Sequence, residues 1–188
     1  MKSTLRNMVF SLTGLTLFVG VALAVVSLIT AQPIADAGRK ARIAAMSDIL
    51  PRFDNDILSE VIECEDGIFL YPATLEGVAV GAAVETYSDD GFSGRFSLIV
   101  GFDSSGVLKG YRVLEHAETP GLGAKMSDWF SMAGSRHCVL GTVGALSLSA
   151  DGGDIDAITG ATITSRAFIG AVNKARQAFD NYNTGANE

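Results

Sequence analysis

Residues 8–30, MVFSLTGLTLFVGVALAVVSLIT, constrain this chain more than any other stretch. No charged side chain occurs between positions 7 and 35. In a bilayer every backbone polar group must be satisfied within the segment, so about 20 apolar residues in a helix can cross it. A cleaved secretory signal is the competing reading, and Ala35-Asp36-Ala37 offers an A-x-A site. Signal cores run to roughly 7–15 residues, shorter than this one. A retained N-terminal transmembrane anchor, residues 1–31, is therefore expected, with membrane lipid against residues 8–30. Lys2 and Arg6 precede the run, while Arg39, Lys40 and Arg42 follow it. Their closeness to the apolar segment lets Lys2 and Arg6 favour an inside N-terminus and a domain beyond the cytoplasm.

What remains is long enough for one domain with its own core. The net charge of −7 argues against nucleic acid as a partner, because phosphate backbones recruit basic faces. The two cysteines, Cys64 and Cys138, form no CxxC and no Cys/His cluster, so zinc, iron–sulfur and haem-attachment patterns are missing. They are read either as one disulfide or as two buried thiols.

Beyond the anchor, Pro33 is expected to end or kink the span, and residues 34–50 read as a helix closed by Pro51. Ile57, Leu58, Val61 and Ile62 suggest another short helix, so residues 32–66 read as a helical lead-in. A β-rich stretch follows. A short apolar run over 68–71 precedes strands predicted at 78–87, 94–102 and 107–115, with Ser88-Asp89-Asp90-Gly91 and Asp103-Ser104-Ser105-Gly106 as turns. Short turns between strands make an antiparallel meander. A short helix is expected over 124–132, and 139–148 (VLGTVGALSL) reads as a strand returning to the sheet. In a final helix, Phe168, Ala171, Val172, Ala175, Ala178, Phe179 and Tyr182 share an apolar face, with Lys174 and Arg176 off it. The domain, 67–182, is α+β, an antiparallel sheet flanked by helices, and 183–188 is a polar tail.

Two loops carry chemistry. The first, Asp156-Ala157-Ile158-Thr159-Gly160-Ala161-Thr162-Ile163-Thr164-Ser165-Arg166, sets hydroxyls around a glycine ahead of that helix. Free N–H groups and the helix dipole favour a phosphate there, and Gly160 lets backbone approach it. Thr159, Thr162, Thr164 and Ser165 can cap the helix, bind a phosphate or be esterified by one. Ordinary capping explains the same cluster. The second loop, His116-Ala117-Glu118-Thr119-Pro120-Gly121-Leu122-Gly123, is a turn by its Pro-Gly pair, and its glycines expose N–H groups. It matches neither a P-loop nor G-x-G-x-x-G. His116 and His137 have no partner motif, and no nucleophile or metal signature is present, so no catalytic or metal residue is assigned.

Together the loops resemble a known family. Asp156-x-x-Thr159-Gly160-Ala161-Thr162 is similar to the flavinylation pattern D-x-x-[S/T]-G-A-[S/T] of FMN-binding domains. Glu118-Thr119-Pro120-Gly121-Leu122-Gly123 resembles the E-T-P-G-L-G loop of the RnfG and NqrC subunits of ion-translocating redox complexes. An anchor ahead of an extracytoplasmic α+β domain fits them, and the compact length looks more like RnfG. The resemblance implies FMN joined through its phosphate to Thr162, installed from FAD by a separate flavin transferase that releases AMP. It implies further contacts from Asp156, Thr159, Gly160, Ala161, Ile163 and Thr164, and from Glu118, Thr119, Gly121, Leu122 and Gly123, with Leu122 apolar and Glu118 and Thr119 polar. It also implies an electron-transfer subunit of an Rnf-type complex in the cytoplasmic (inner) membrane, with the other subunits as partners, coupling ferredoxin:NAD electron flow to Na⁺ or H⁺ translocation. The alternatives are an NqrC-type subunit of the Na⁺-translocating NADH:quinone oxidoreductase and a non-redox anchored module in which Thr162 only caps the helix.

Overall fold

The computed structural model describes residues 5–185, with side-chain surroundings from residue 7. Lys2, the side chain of Arg6 and tail residues 186–188 lie outside the described residues. Met1–Arg42 and Ile43–Glu188 form two compact units.

Helix α1, Leu5–Ile49, contains the apolar run, whose side chains are exposed, and it is long and apolar enough to cross a membrane. Of the two expectations at Pro33, an end to the helix is corrected, because the helix continues through that residue. Proline removes one i→i−4 bond, and the good helix formers around it, Ala31, Gln32 and Ala35, carry the helix across that gap.

The second unit is a five-stranded antiparallel sheet in sequence order. Its strands are β1 (Ile62–Glu63), β2 (Phe69–Leu75), β3 (Val78–Ser88), β4 (Phe96–Asp103) and β5 (Leu108–Glu115). The helix expected around 57–62 is absent, replaced by a turn and the two-residue β1. Four apolar residues there are too few to nucleate a helix, and β2 offers free edge groups for pairing. The β2–β3 hairpin closes on Glu76 and Gly77, both at positive φ, the type I′ geometry that matches strand twist.

Both sheet faces are buried. On one face Leu98, Val100 and Phe102 pack against Phe168, Val172, Ala175 and Phe179 of α3 (Thr162–Gly185). Phe168 stacks on Phe130 with centroids 4.4 Å apart and meets Tyr111 edge-on at 4.8 Å. Burying each such ring contributes about 1.5–3 kcal/mol. On the other face Ala45, Met46 and Ile49, the end of α1, pack with Tyr71, Ala83 and Ile99. Gly101 and Gly110 pair across β4 and β5, and a Cβ on Gly101 would come 2.9 Å from Ile49 Cγ1. The glycines make the notch that receives Ile49.

Four further expectations change. The helix near 124–132 is a 3₁₀ turn, Gly123–Lys125, running into a single turn, α2 (Met126–Trp129). Residues 139–148 are no strand. Gly141 and Gly144 adopt positive φ, which breaks the pleat, and only Leu148 bridges, to Ile155. Arg176 does not point away from the core: it is 4% exposed, donates to the carbonyls of Gly106 (2.9 Å) and Thr142 (3.2 Å), and lies over the Phe102 ring. Burial lowers its pKa. Cys64 and Cys138 are free thiols, and burial raises the Cys64 pKa. Helix α3 runs through residues 183–185 of the expected tail.

Candidate functional site

The helix entrance is built by Gly160 and Ser165. The Ala161 N–H donates to the Ile158 carbonyl at 2.9 Å, and Gly160, at φ +79°, occupies the third position of that turn. Ser165 Oγ accepts the Ile158 N–H at 2.9 Å and donates to the Ala161 carbonyl at 2.9 Å. The turn is thereby clamped onto the first turn of α3. Thr164 and Ser165 point into the core, whereas Thr162 and Ile163 face outward. No acidic residue occupies that first turn, so its orphan N–H groups and the helix dipole present a field that favours an anion.

The second loop turns on Pro120 and Gly121, with the Leu122 N–H donating to the Thr119 carbonyl at 3.1 Å and Gly121 at φ +79°. Glu118 is 5% exposed and ties the pieces together. Its Oε2 accepts the Thr164 hydroxyl at 3.0 Å, and its Oε1 accepts the Ser93 N–H at 3.1 Å. Gly123 lies against this pair: a Cβ there would stand 2.2 Å from Glu118 Oε2 and 2.8 Å from Thr164 Oγ1. Only glycine fits without moving the carboxylate.

These contacts enclose a cavity of about 320 Å³. Glu118, Thr119, Leu122 and Gly123 line it from one loop and residues 160–164 from the other, with Phe92 on the rim. Its walls are mostly apolar, apart from the Thr119 and Thr162 hydroxyls and the Glu118–Thr164 pair. Of the four hydroxyls at the helix entrance, Thr164 and Ser165 are buried and already bonded, and Thr159 is exposed but outside the lining. Thr162 is the one of the four that is both exposed and at the cavity.

Two other expected residues also lie outside the lining. Gly121 shapes the turn. The Asp156 carboxylate accepts the Ser149 hydroxyl at 3.0 Å and pairs with Arg136 at 3.7 Å, while its carbonyl accepts the Trp129 indole N–H at 3.4 Å. It braces the approach to the loop. Nearby, the Arg166 guanidinium hydrogen-bonded to Asp151 holds that carboxyl below its usual range. A larger hollow, about 450 Å³, is lined by Cys64, Lys174 and Tyr182 and holds no residue of either motif. The smaller cavity is the better candidate because both motifs converge on it.

The arrangement fits a flavin phosphate. Glycines at 121, 123 and 160 keep Cβ atoms away from both loops, the helix start offers N–H donors, and one free hydroxyl stands beside them.

Residues 91–177 match the model of the FMN-binding domain family. The G subunit of the ion-translocating oxidoreductase complex from Yersinia pestis is 37% identical, over 87% of this chain and 81% of that protein. The protein of the same name from Pseudomonas aeruginosa is 36% identical, over 95% of this chain and 90% of that protein. The chain belongs to the family of G subunits of ion-translocating oxidoreductase complexes. Among solved structures, Shewanella oneidensis NqrC aligns at TM-score 0.45 and 22% identity, over 77% of this chain and 73% of that one. Within the span of the family match, one residue of the site lies outside both loops singled out in the sequence: Phe92 on the rim. Phe92 sits in a turn between two predicted strands, where an aromatic flanked by Gly91 and Gly94 is the available signal.

Proposed function

We propose that this chain is an electron-transfer subunit of an ion-translocating oxidoreductase, carrying FMN bound covalently to Thr162. The observation that carries the reading is the position of the Thr162 hydroxyl, exposed within the cavity that both motifs line. Attachment forms a bond from Thr162 Oγ1 to the FMN-side phosphorus of FAD and breaks the pyrophosphate P–O bond. AMP leaves, and the threonine proton passes to solvent. A separate flavin transferase performs this step. The helix start holds the phosphate's charge, Gly160 lets backbone approach, and Glu118, with Gly123 packed against it, fixes the two loops against each other. When bound, the flavin supplies the electron chemistry, and the protein supplies position and environment.

On this reading the apolar segment of α1 anchors the chain in the cytoplasmic membrane, with the flavin domain on its outer side. Its partners are the other subunits of an Rnf-type complex, in which electron flow between ferredoxin and NAD drives Na⁺ or H⁺ export. The test is the intact mass of chain exported with its transferase. A gain of one FMN less water in wild type, lost together with the yellow colour in Thr162→Ala, is the expected result. Wild type that stays unmodified under those conditions overturns it.

A further inference from the structure

The turn between β3 and β4 holds an aromatic ring at the cavity rim in a way that core packing does not require. Phe92 is 70% exposed, yet the backbone beneath it is fixed at several points. The Ser93 N–H donates to buried Glu118 Oε1, and the Gly94 N–H donates to the Gly91 carbonyl at 3.1 Å. The Asp90 N–H donates to Ser88 Oγ at 3.2 Å, and Arg95 forms a two-bond pair with Asp89. Gly91 has no room for a side chain: a Cβ would stand 2.3 Å from the Gly94 carbonyl oxygen and 2.8 Å from Glu118 Oε1. The carboxylate that bonds Thr164 at the helix entrance therefore also positions the residue next to Phe92. Leu122 and Ile163, 45% and 53% exposed, complete an apolar rim around the same opening.

A fixed turn that leaves a phenyl ring in water gains nothing from burial, whereas a planar aromatic ligand in the adjacent cavity would cover that surface. Resting on the Thr162 reading, we propose that Phe92 packs its ring against the isoalloxazine of the attached flavin, shielding it and fixing its orientation. It is a positioning residue.

The experiment uses full-length chain, co-expressed with the transferase and exported. Phe92→Trp and Phe92→Ala are compared with wild type at equal flavin loading by mass. An indole in contact with an excited flavin quenches it by electron donation, so Phe92→Trp is expected to lose flavin emission severalfold and shorten its lifetime. Phe92→Ala is expected to raise quenching by iodide severalfold. Comparison at equal loading, set by intact mass, separates the orientation of the ring from the extent of attachment. Loaded variants with either readout at the wild-type value overturn the role of Phe92 and leave the covalent flavin standing. An unmodified wild type overturns both.

Discussion

Thr164 donates its hydroxyl to Glu118 across 3.0 Å, with both side chains buried and the two residues 46 positions apart in the chain. That one bond joins the two loops that sequence alone could only place in order. Removing the donor leaves a buried carboxylate oxygen short of a partner, which costs the desolvation of the group rather than the modest net value of a hydrogen bond. Thr164→Val is expected to destabilise the domain by about 1–3 kcal/mol. Urea unfolding measures it, and an unchanged midpoint would contradict the assigned bond.

Gly123 is expected to be intolerant. An added methyl would overlap Glu118 and Thr164, and overpacking of this kind costs about 1–3 kcal/mol. Gly170, with open space where a Cβ would stand, is the control on α3. There Gly170→Ala should stabilise by about 0.5–1 kcal/mol, because alanine restricts the unfolded chain. Opposite signs in paired thermal melts are the check.

Ile49 makes the end of α1 part of the folded domain. Ile49→Ala empties the notch between Gly101 and Gly110 and is expected to cost about 2–5 kcal/mol. A chain starting at Ile43 keeps Ala45, Met46 and Ile49 and should melt cooperatively, whereas one starting at Pro51 loses them and should melt far lower. Circular dichroism separates the two.

Tyr111 gives a pH signature. Its hydroxyl donates to the Met126 carbonyl at 2.7 Å, and burial holds its pKa above the ordinary 10.0. Above pH 10.0 the unfolded chain loses this proton while the folded one keeps it, so stability falls as pH rises. Tyr111→Phe should remove that part of the alkaline loss. Denaturant midpoints taken between neutral and alkaline pH compare the two slopes.

The candidate site was legible where its determinants are local. Gly160, Gly121 and the hydroxyl cluster sit in short stretches whose turn chemistry reads directly. Phe92 was not legible, because its approach to the cavity depends on a turn bonded to Glu118, 25 residues on. Strand composition between short turns placed β3, β4 and β5 nearly to their ends, while the run after Val139 misled because glycine backbone angles override apolar composition. Arg176 misled for the opposite reason. Helical periodicity places a residue on a face, but two carbonyls from distant loops drew this charge inward.

The inward turn of Thr164 and Ser165 also bears on chronology. In an unfolded chain the cluster offers a modifying enzyme four accessible alcohols. After folding, two are locked behind hydrogen bonds and a third lies outside the cavity lining. On the proposed flavin attachment, selection of Thr162 follows from the order of events, with folding first and modification second.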